Sequence, residues 1–345
     1  MYRLIRLGSK ALISNFKTLK EPYKITFAIT YRCNSRCKTC GIWKQKPVNE
    51  LDINEIKKLF EKINPSWVNL TGGEPFLRSD LYEIAKIIYE KDVYLLNLTT
   101  NGLLTDRIVS TVKNILKLNF PRFIVAVSLD GPREIHDKIR GVDGNWNKSV
   151  DTYKKLKHLS NDNKNFQTFL GYTISKYNTG LIQKTLEEIN KEVPVNINDF
   201  HFNIYHTSSS YFGKQNGGAI DERSQKELIE VVEQILAKKK RYTAVSFLER
   251  RYLKNIRKYL EDKKCPLDCK SMIASCFINP NGDVYPCTIF NKKLANIRDF
   301  DYDLKKIWNS DYSENIRKKI KEKKCVGCWT PCEAYQTILG NIFKI

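Results

Sequence analysis

The chain has 345 residues, with 59 Lys and Arg against 38 Asp and Glu for a net charge of +21, and ten cysteines. No apolar run approaches the ~20 residues that span a bilayer, and residues 1–20 lack the apolar core and small-residue cleavage site of a signal peptide. A cytoplasmic location follows, in which thiols stay reduced and clustered cysteines read as metal ligands rather than disulfides. The excess of positive charge points to a polyanionic partner, either nucleic acid or an anionic membrane surface, unless it reflects only a general lysine bias.

In chain order, residues 3–20 form a predicted amphipathic helix. Arg3, Arg6, Lys10, Lys17 and Lys20 share one sector, and Leu4, Ile5, Leu7, Ala11, Leu12, Phe16 and Leu19 occupy the opposite half. Such a helix either lies peripherally on the inner face of a membrane or caps the neighbouring domain. From Tyr23 onward strand-like runs alternate with helical patterns. The runs are 25–30, 67–71, 93–99, 123–128, 169–174 and 200–205; the helices are 54–63, 80–89, 106–116, 149–159 and 181–189. Repeated strand–helix units predict an α/β fold with a parallel sheet. Six strands, short of the eight of a closed barrel, predict a partial, open TIM-like (β/α)6 barrel whose site is built by loops at the strand C-termini.

Residues 206–224, rich in Ser, Gly and Asn, read as a flexible loop, and helices at 225–240 and 247–262 lead to a cysteine-rich tail. The expected organisation is a basic helix (1–22), a barrel core (23–205), a loop with connecting helices (206–262) and a small cysteine-rich α+β domain (263–345).

The loop after the first strand, ITYRCNSRCKTCGIW, carries Cys33, Cys37 and Cys40. Three thiols are one short of a closed structural site. No His or Cys follows until His136, which argues against a zinc ribbon. A [4Fe–4S] cluster held by three thiolates keeps one iron open.

This spacing resembles the radical S-adenosylmethionine superfamily. The resemblance implies that the methionine amine and carboxylate of S-adenosylmethionine chelate the open iron of a [4Fe–4S] cluster. Reductive cleavage then releases a 5′-deoxyadenosyl radical that takes hydrogen from an unactivated C–H bond. Further motifs agree in order. Gly72-Gly73-Glu74-Pro75, after the second strand, resembles the family's motif for the cofactor's amino group. Leu98–Gly102, "LTTNG", ends the third strand, and "VSLDGPREIHDKIRG" (127–141) ends the fourth. By resemblance Ser128 bonds the cofactor's ribose or carboxylate, Asp130 faces the ribose or substrate, and Arg140 pairs with the carboxylate. An ordinary turn with a capping role is the bland alternative for these last residues. Before the third cysteine stands Thr39, where the family usually has an aromatic residue, so adenine packing falls to another group such as Trp43.

The tail resembles the auxiliary-cluster domains called SPASM and twitch. Carried over, the resemblance assigns Cys269, Cys287, Cys325 and Cys328 to one auxiliary [4Fe–4S] cluster, with Cys265, Cys276 and Cys332 left as further candidates. Asn281-Gly282 is expected at a hairpin turn that returns Cys287 toward Cys269. A zinc site is the alternative for this tail, since thiolate tetrads suit both metals. His136 reads as a packed structural residue, and Tyr205 and His206 end the sixth strand; the catalytic acid–base groups are unassigned.

Relatives with such tails mostly modify peptides or proteins, while others act on alcohols, sugars or lipids. The expected substrate is therefore a peptide or a membrane lipid, with an external low-potential electron donor. The alternatives are a tRNA- or other nucleic-acid-modifying enzyme and a non-catalytic iron–sulfur or zinc electron-carrier module.

Overall fold

A computed structural model describes residues 1–213, 222–239 and 243–344. The expected loop at 206–224 lies in part outside the described residues. The elements in order are α1 (Tyr2–Ile13), β1 (Lys24–Ala28), α2 (Ile53–Glu61), β2 (Trp67–Thr71), α3 (Leu81–Tyr89), β3 (Leu95–Thr100), α4 (Thr105–Leu116), β4 (Arg122–Ser128), α5 (Arg133–Arg140), α6 (Asn145–Asp162), β5 (Phe166–Ile174), α7 (Ile182–Asn190) and β6 (Phe200–Ile204). Then follow α8 (Glu222–Lys238), α9 (Ala244–Lys254), α10 (Ile256–Asp262), β7 (Ser275–Ile278), β8 (Asp283–Tyr285), β9 (Ala295–Asn296), α11 (Leu304–Trp308), α12 (Asp311–Lys321) and α13 (Pro331–Leu339).

β1 to β6 run parallel in the spatial order β6-β5-β4-β3-β2-β1, as an open barrel of strand–helix units should. The sheet does not end there. β7 pairs with β1 in parallel, and the β7–β8 hairpin and β9 continue the same sheet to nine strands. The cysteine-rich region is therefore joined to the barrel by main-chain hydrogen bonds. Along β3, β5 and β6 buried and half-buried residues alternate. This period of two puts one set of side chains under the helices and the other into a lumen.

Local signals explain most helix ends. Asp52 and Glu55 form a capping box at the start of α2, and α5 stops at Gly141 in the left-handed conformation, φ +66°. Two helices differ from expectation. The first ends at Ile13 rather than residue 20, because the Ser14 and Asn15 side chains bond the Ala11 and Leu12 carbonyls and Leu19 N–H turns away to Ile273 O at 3.1 Å. The helix expected over 247–262 is two, α9 and α10, separated at Asn255, whose amide donates to the Arg251 carbonyl. Among the described residues no helix is long and apolar enough to cross a membrane.

Candidate active site

Residues 29–41 contain no strand or helix, so their backbone groups must find partners elsewhere. Four neighbours supply them. The β2 exit donates Gly73 N–H to Thr30 O (2.7 Å) and Glu74 N–H to Arg32 O (2.8 Å). Glu50 accepts from Tyr31 N–H at 2.6 Å. The loop's Arg36 and Lys38 N–H groups donate to the Arg140 and Ile139 carbonyls (2.9 and 2.7 Å), satisfying the C-terminal orphans of α5. Gly41 N–H donates to Phe212 O at 2.6 Å. The glycine pair serves this packing: a Cβ on Gly73 would stand 2.1 Å from Arg32 O, and one on Gly72 2.4 Å from Thr30 O. The close approach that glycine permits here is to the cysteine loop's own backbone.

Held this way, Cys33, Cys37 and Cys40 line one cleft of about 250 Å³ at the C-terminal ends of the strands. Gly72, Gly73, Glu74, Ser128, Asp130 and Arg140 line the same cleft, as do Thr39 and Trp43. Burial pushes the Cys33 thiol up to about 11 and the Cys40 thiol up to about 12. Arg140 Nη1 lies 3.7 Å from Cys37 Sγ, a fixed positive charge against the triad.

The carboxylates are already engaged. Glu74 accepts from Thr100 Oγ1 (2.9 Å), Asn101 N–H (2.7 Å) and Phe76 N–H (3.2 Å), tying the β2 loop to the β3 loop. Burial raises its pKa to about 7 against the pull of those donors. Asp130 is bound by Arg140 Nη2 at 2.7 Å and by Thr173 N–H at 2.8 Å, and burial raises its pKa against the guanidinium's pull. The two residues expected to meet the cofactor separately thus meet each other. His136 Nδ1 accepts from Asp130 N–H at 2.9 Å inside the fold, the structural role its isolation suggests. His206 is likewise occupied: Nδ1 bonds Ile204 O (2.8 Å) and Nε2 accepts from Trp329 N–H (3.2 Å). Tyr205 lines the cleft.

Below the cleft lies a second chamber, also about 250 Å³, floored by Trp67 and Leu95 and walled by Ile124, Phe202, Leu248 and Tyr335. Asn69, Asn97, Thr99, Ser128, Asn203 and Cys332 border both spaces. Strand register explains the collar, since Thr26, Asn69 and Asn97 are paired across β1, β2 and β3. Asparagines inside otherwise apolar strands were the available signal, and sequence reasoning passed over them. It also missed Lys24, fully buried in β1, whose ammonium donates to the Cys332 carbonyl and to Gln336 Oε1. Gln336 in turn donates to Glu333 at 2.6 Å. Burial lowers the Lys24 pKa, offset by Glu333, and raises Glu333 to about 7.

Of the seven C-terminal cysteines, five interact in one group, and a sixth, Cys332, is near enough to Cys287 to interact with it electrostatically. Cys265 contacts Cys269, Cys287 contacts Cys328, and Cys325 faces Cys269 and Cys287. Gly282 (φ +84°) turns the β7–β8 hairpin that leads to Cys287. Cys276 is buried on β7 beside Glu333, and Cys332 opens into the barrel.

Among the described residues no three His, Cys, Asp or Glu side chains converge on a single metal ion. The donor set fits an iron–sulfur cluster, as soft thiolates should. The cleft also fits a polar ligand beside it: Arg140 Nε, Thr26 Oγ1 and Asn203 Oδ1 are buried without a hydrogen-bond partner, and all three residues line it.

An open parallel barrel with a thiolate loop at its strand ends and a second thiolate group beside it defines an iron–sulfur barrel enzyme. The chain matches the radical SAM superfamily over residues 27–189 and SPASM, an iron–sulfur cluster-binding domain, over residues 269–333. Its cofactors are [4Fe–4S] clusters and S-adenosylmethionine. It is 31% identical to Fe-coproporphyrin III synthase of Methanosarcina barkeri over 51% of this chain and 43% of that one. The match therefore spans less than half of that relative's length. It is 24% identical to the antilisterial bacteriocin subtilosin biosynthesis protein AlbA of Bacillus subtilis over 95% of this chain and 72% of that one. Streptococcus suis SuiB, solved with S-adenosylmethionine and with precursor peptide SuiA, shares the fold at TM-score 0.60 and 17% identity in both cases. Those alignments cover 90% and 94% of this chain and 71% and 75% of SuiB.

Proposed function

We propose that the protein modifies a peptide by hydrogen abstraction from an unactivated C–H bond of a side chain. In this reading Cys33, Cys37 and Cys40 hold the cluster that binds S-adenosylmethionine. Cys269, Cys287, Cys325 and Cys328 hold the auxiliary cluster, with Cys265 at its edge. When bound, these cofactors supply reductive carbon–sulfur cleavage and hydrogen-atom abstraction, drawing electrons from an external low-potential donor. The protein's part is positioning and exclusion. Arg140 offsets thiolate charge and is itself held by Asp130. Glu74 locks the β2 and β3 loops around the cleft. Trp43, at the rim, supplies an aromatic face near the triad in place of Thr39.

The observation that carries the peptide reading is the two-tier lumen. Its apolar chamber of about 250 Å³ lies beneath a collar of amides and hydroxyls. Sites that enclose a drug-sized molecule run to roughly 300–1,000 Å³, so the chamber suits one apolar or aromatic side chain entering from a chain laid across the cleft. It is small for a whole tetrapyrrole. The named relatives AlbA and SuiB, associated with a bacteriocin and a precursor peptide, support the same class.

The test is anaerobic turnover of the reconstituted protein with a strong reductant. 5′-Deoxyadenosine should form, and deuterium placed on an apolar side chain of a substrate peptide should appear in it. Replacing Cys33, Cys37 and Cys40 together by Ala should abolish product and remove about four irons per chain. Deuterium transfer from a lipid or an RNA instead would overturn the peptide reading while leaving the enzyme class intact.

A further inference from the structure

Helix α1 is mounted with its polar and apolar faces reversed relative to an ordinary surface helix. Its basic side faces the barrel. Arg3 pairs with Asp92 at 2.8 Å, Arg6 donates to the carbonyls of Pro65, Lys91 and Asp92 (2.9, 3.0 and 2.6 Å), and Lys10 donates to Asn64 O at 2.7 Å. These acceptors belong to the turns that enter β2 and β3, so the helix is bolted to the N-terminal end of the barrel. Only Leu7 and Ala11 reach the cluster around Trp67. The rest of the apolar side faces outward: Leu4 is 52% exposed, Ile5 61%, Leu12 49% and Phe16 74%. The row continues onto the C-terminal turn, where Phe343, 67% exposed, packs its ring 5.6 Å from Phe16. Ile342 N–H bonds Asn15 Oδ1 at 2.9 Å, which fixes this turn to the end of α1.

Scattered exposed apolar residues are ordinary, but a contiguous row on one helix marks an interaction surface. Its surroundings identify the occupant. Lys17 and Lys20 follow the helix, and Phe16 lines a cleft of about 320 Å³ that it shares with Lys264, Lys321 and Lys323, with Asp268, and with Cys265, Cys269 and Cys325 on its inner wall. All five lysines are exposed. An apolar row fringed by cations, on a chain of net charge +21, is complementary to anionic headgroups over acyl chains. We propose that α1 and the 342–343 turn insert into the interface of an anionic lipid bilayer, independently of what the enzyme modifies. Because the helix sits at the opposite end of the barrel from the cysteine triad, the docked enzyme presents its cleft to the aqueous side. The helix also closes the floor of the lumen, since Trp67 and Leu95 touch both.

Flotation of the full-length protein with vesicles of phosphatidylcholine containing phosphatidylglycerol tests this. The wild type should float at low salt, largely stay behind at high salt, and float poorly with phosphatidylcholine alone. Leu12→Asp with Phe16→Asp should lower retention about tenfold or more, and Lys17→Glu with Lys323→Glu should weaken it less. Circular dichroism should match the wild type, since all four positions face solvent. Equal flotation of the Asp variant would overturn the proposal. So would a vesicle-free dimer that the same Asp substitutions disperse, which would make this face a contact between two copies.

Discussion

Cys33, Cys37 and Cys40 fall within eight consecutive positions of one loop, whereas the C-terminal cysteines that meet, Cys265, Cys269, Cys287, Cys325 and Cys328, are drawn from positions 265 to 328. The first group is close by chain connectivity, and the fold's task is to fix a loop that has no secondary structure of its own. The second group is close only because the β7–β8 hairpin and the segment before α13 bring distant residues together. A local site fails when its clamps fail; a non-local site fails when the surrounding fold does.

The largest expected effect comes from breaking a clamp on the local site. Gly73→Ala would drive a Cβ against the Arg32 carbonyl, a backbone atom that cannot swing aside. It should cost about 3 kcal/mol and, after anaerobic reconstitution, lower bound iron by about four per chain. The C-terminal site should keep its iron. Equal loss from both sites, read by iron analysis and Mössbauer spectra, would erase the distinction between them.

A smaller set of substitutions sharpens the non-local side. Cys269→Ser should remove about four irons, while Cys265→Ser and Cys276→Ser should leave the iron count unchanged. Cys276→Ser should shift Tm by only a few degrees. Loss of iron in Cys265→Ser with retention in Cys269→Ser would exchange their assignments.

The smallest effect lies between the regions. Arg298 bonds Glu55 through Nε (2.6 Å) and Nη2 (2.9 Å), and Tyr302 joins them at 2.8 Å, tying α2 to the chain after β9. The Arg298 hydrogen bonds hold the Glu55 carboxyl down to about 2. Because the folded value lies below the usual ~4.3 of a free Glu, the stabilisation is complete above that range and fades as pH falls toward 2. Arg298→Ala should cost about 1 kcal/mol at neutral pH. Its Tm deficit should shrink steadily in acid, and a constant deficit down to the lowest pH would show that packing, not charge, holds the contact.

Much of the barrel was legible because its signals are local. Six apolar runs in β-like composition, alternating with five helical periods, define parallel strand–helix units, and all six strands form. The unanticipated α5 is eight residues long and strongly polar, with only Ile135 and Ile139 to mark its apolar side. The asparagines of the collar were overlooked because a polar residue in a strand has no local signature telling lumen from surface. The mutual pairing of Asp130 and Arg140 was equally invisible, since it depends on where α5 returns relative to β4.

The sequence by itself determined that three thiols would share one loop, that glycines would stand at the β2 exit, and that α1 would have one basic and one apolar side. Each follows from residue spacing and backbone periodicity, which act over a few positions. Only the tertiary structure decided that the basic side of α1 turns inward, that Cys265 joins the C-terminal group while Cys332 opens into the barrel, and that β7 extends the barrel's own sheet. Those outcomes depend on which carbonyls, thiols and strand edges the rest of the chain presents, and most such partners are set by contacts between segments from some fifty to about 250 residues apart.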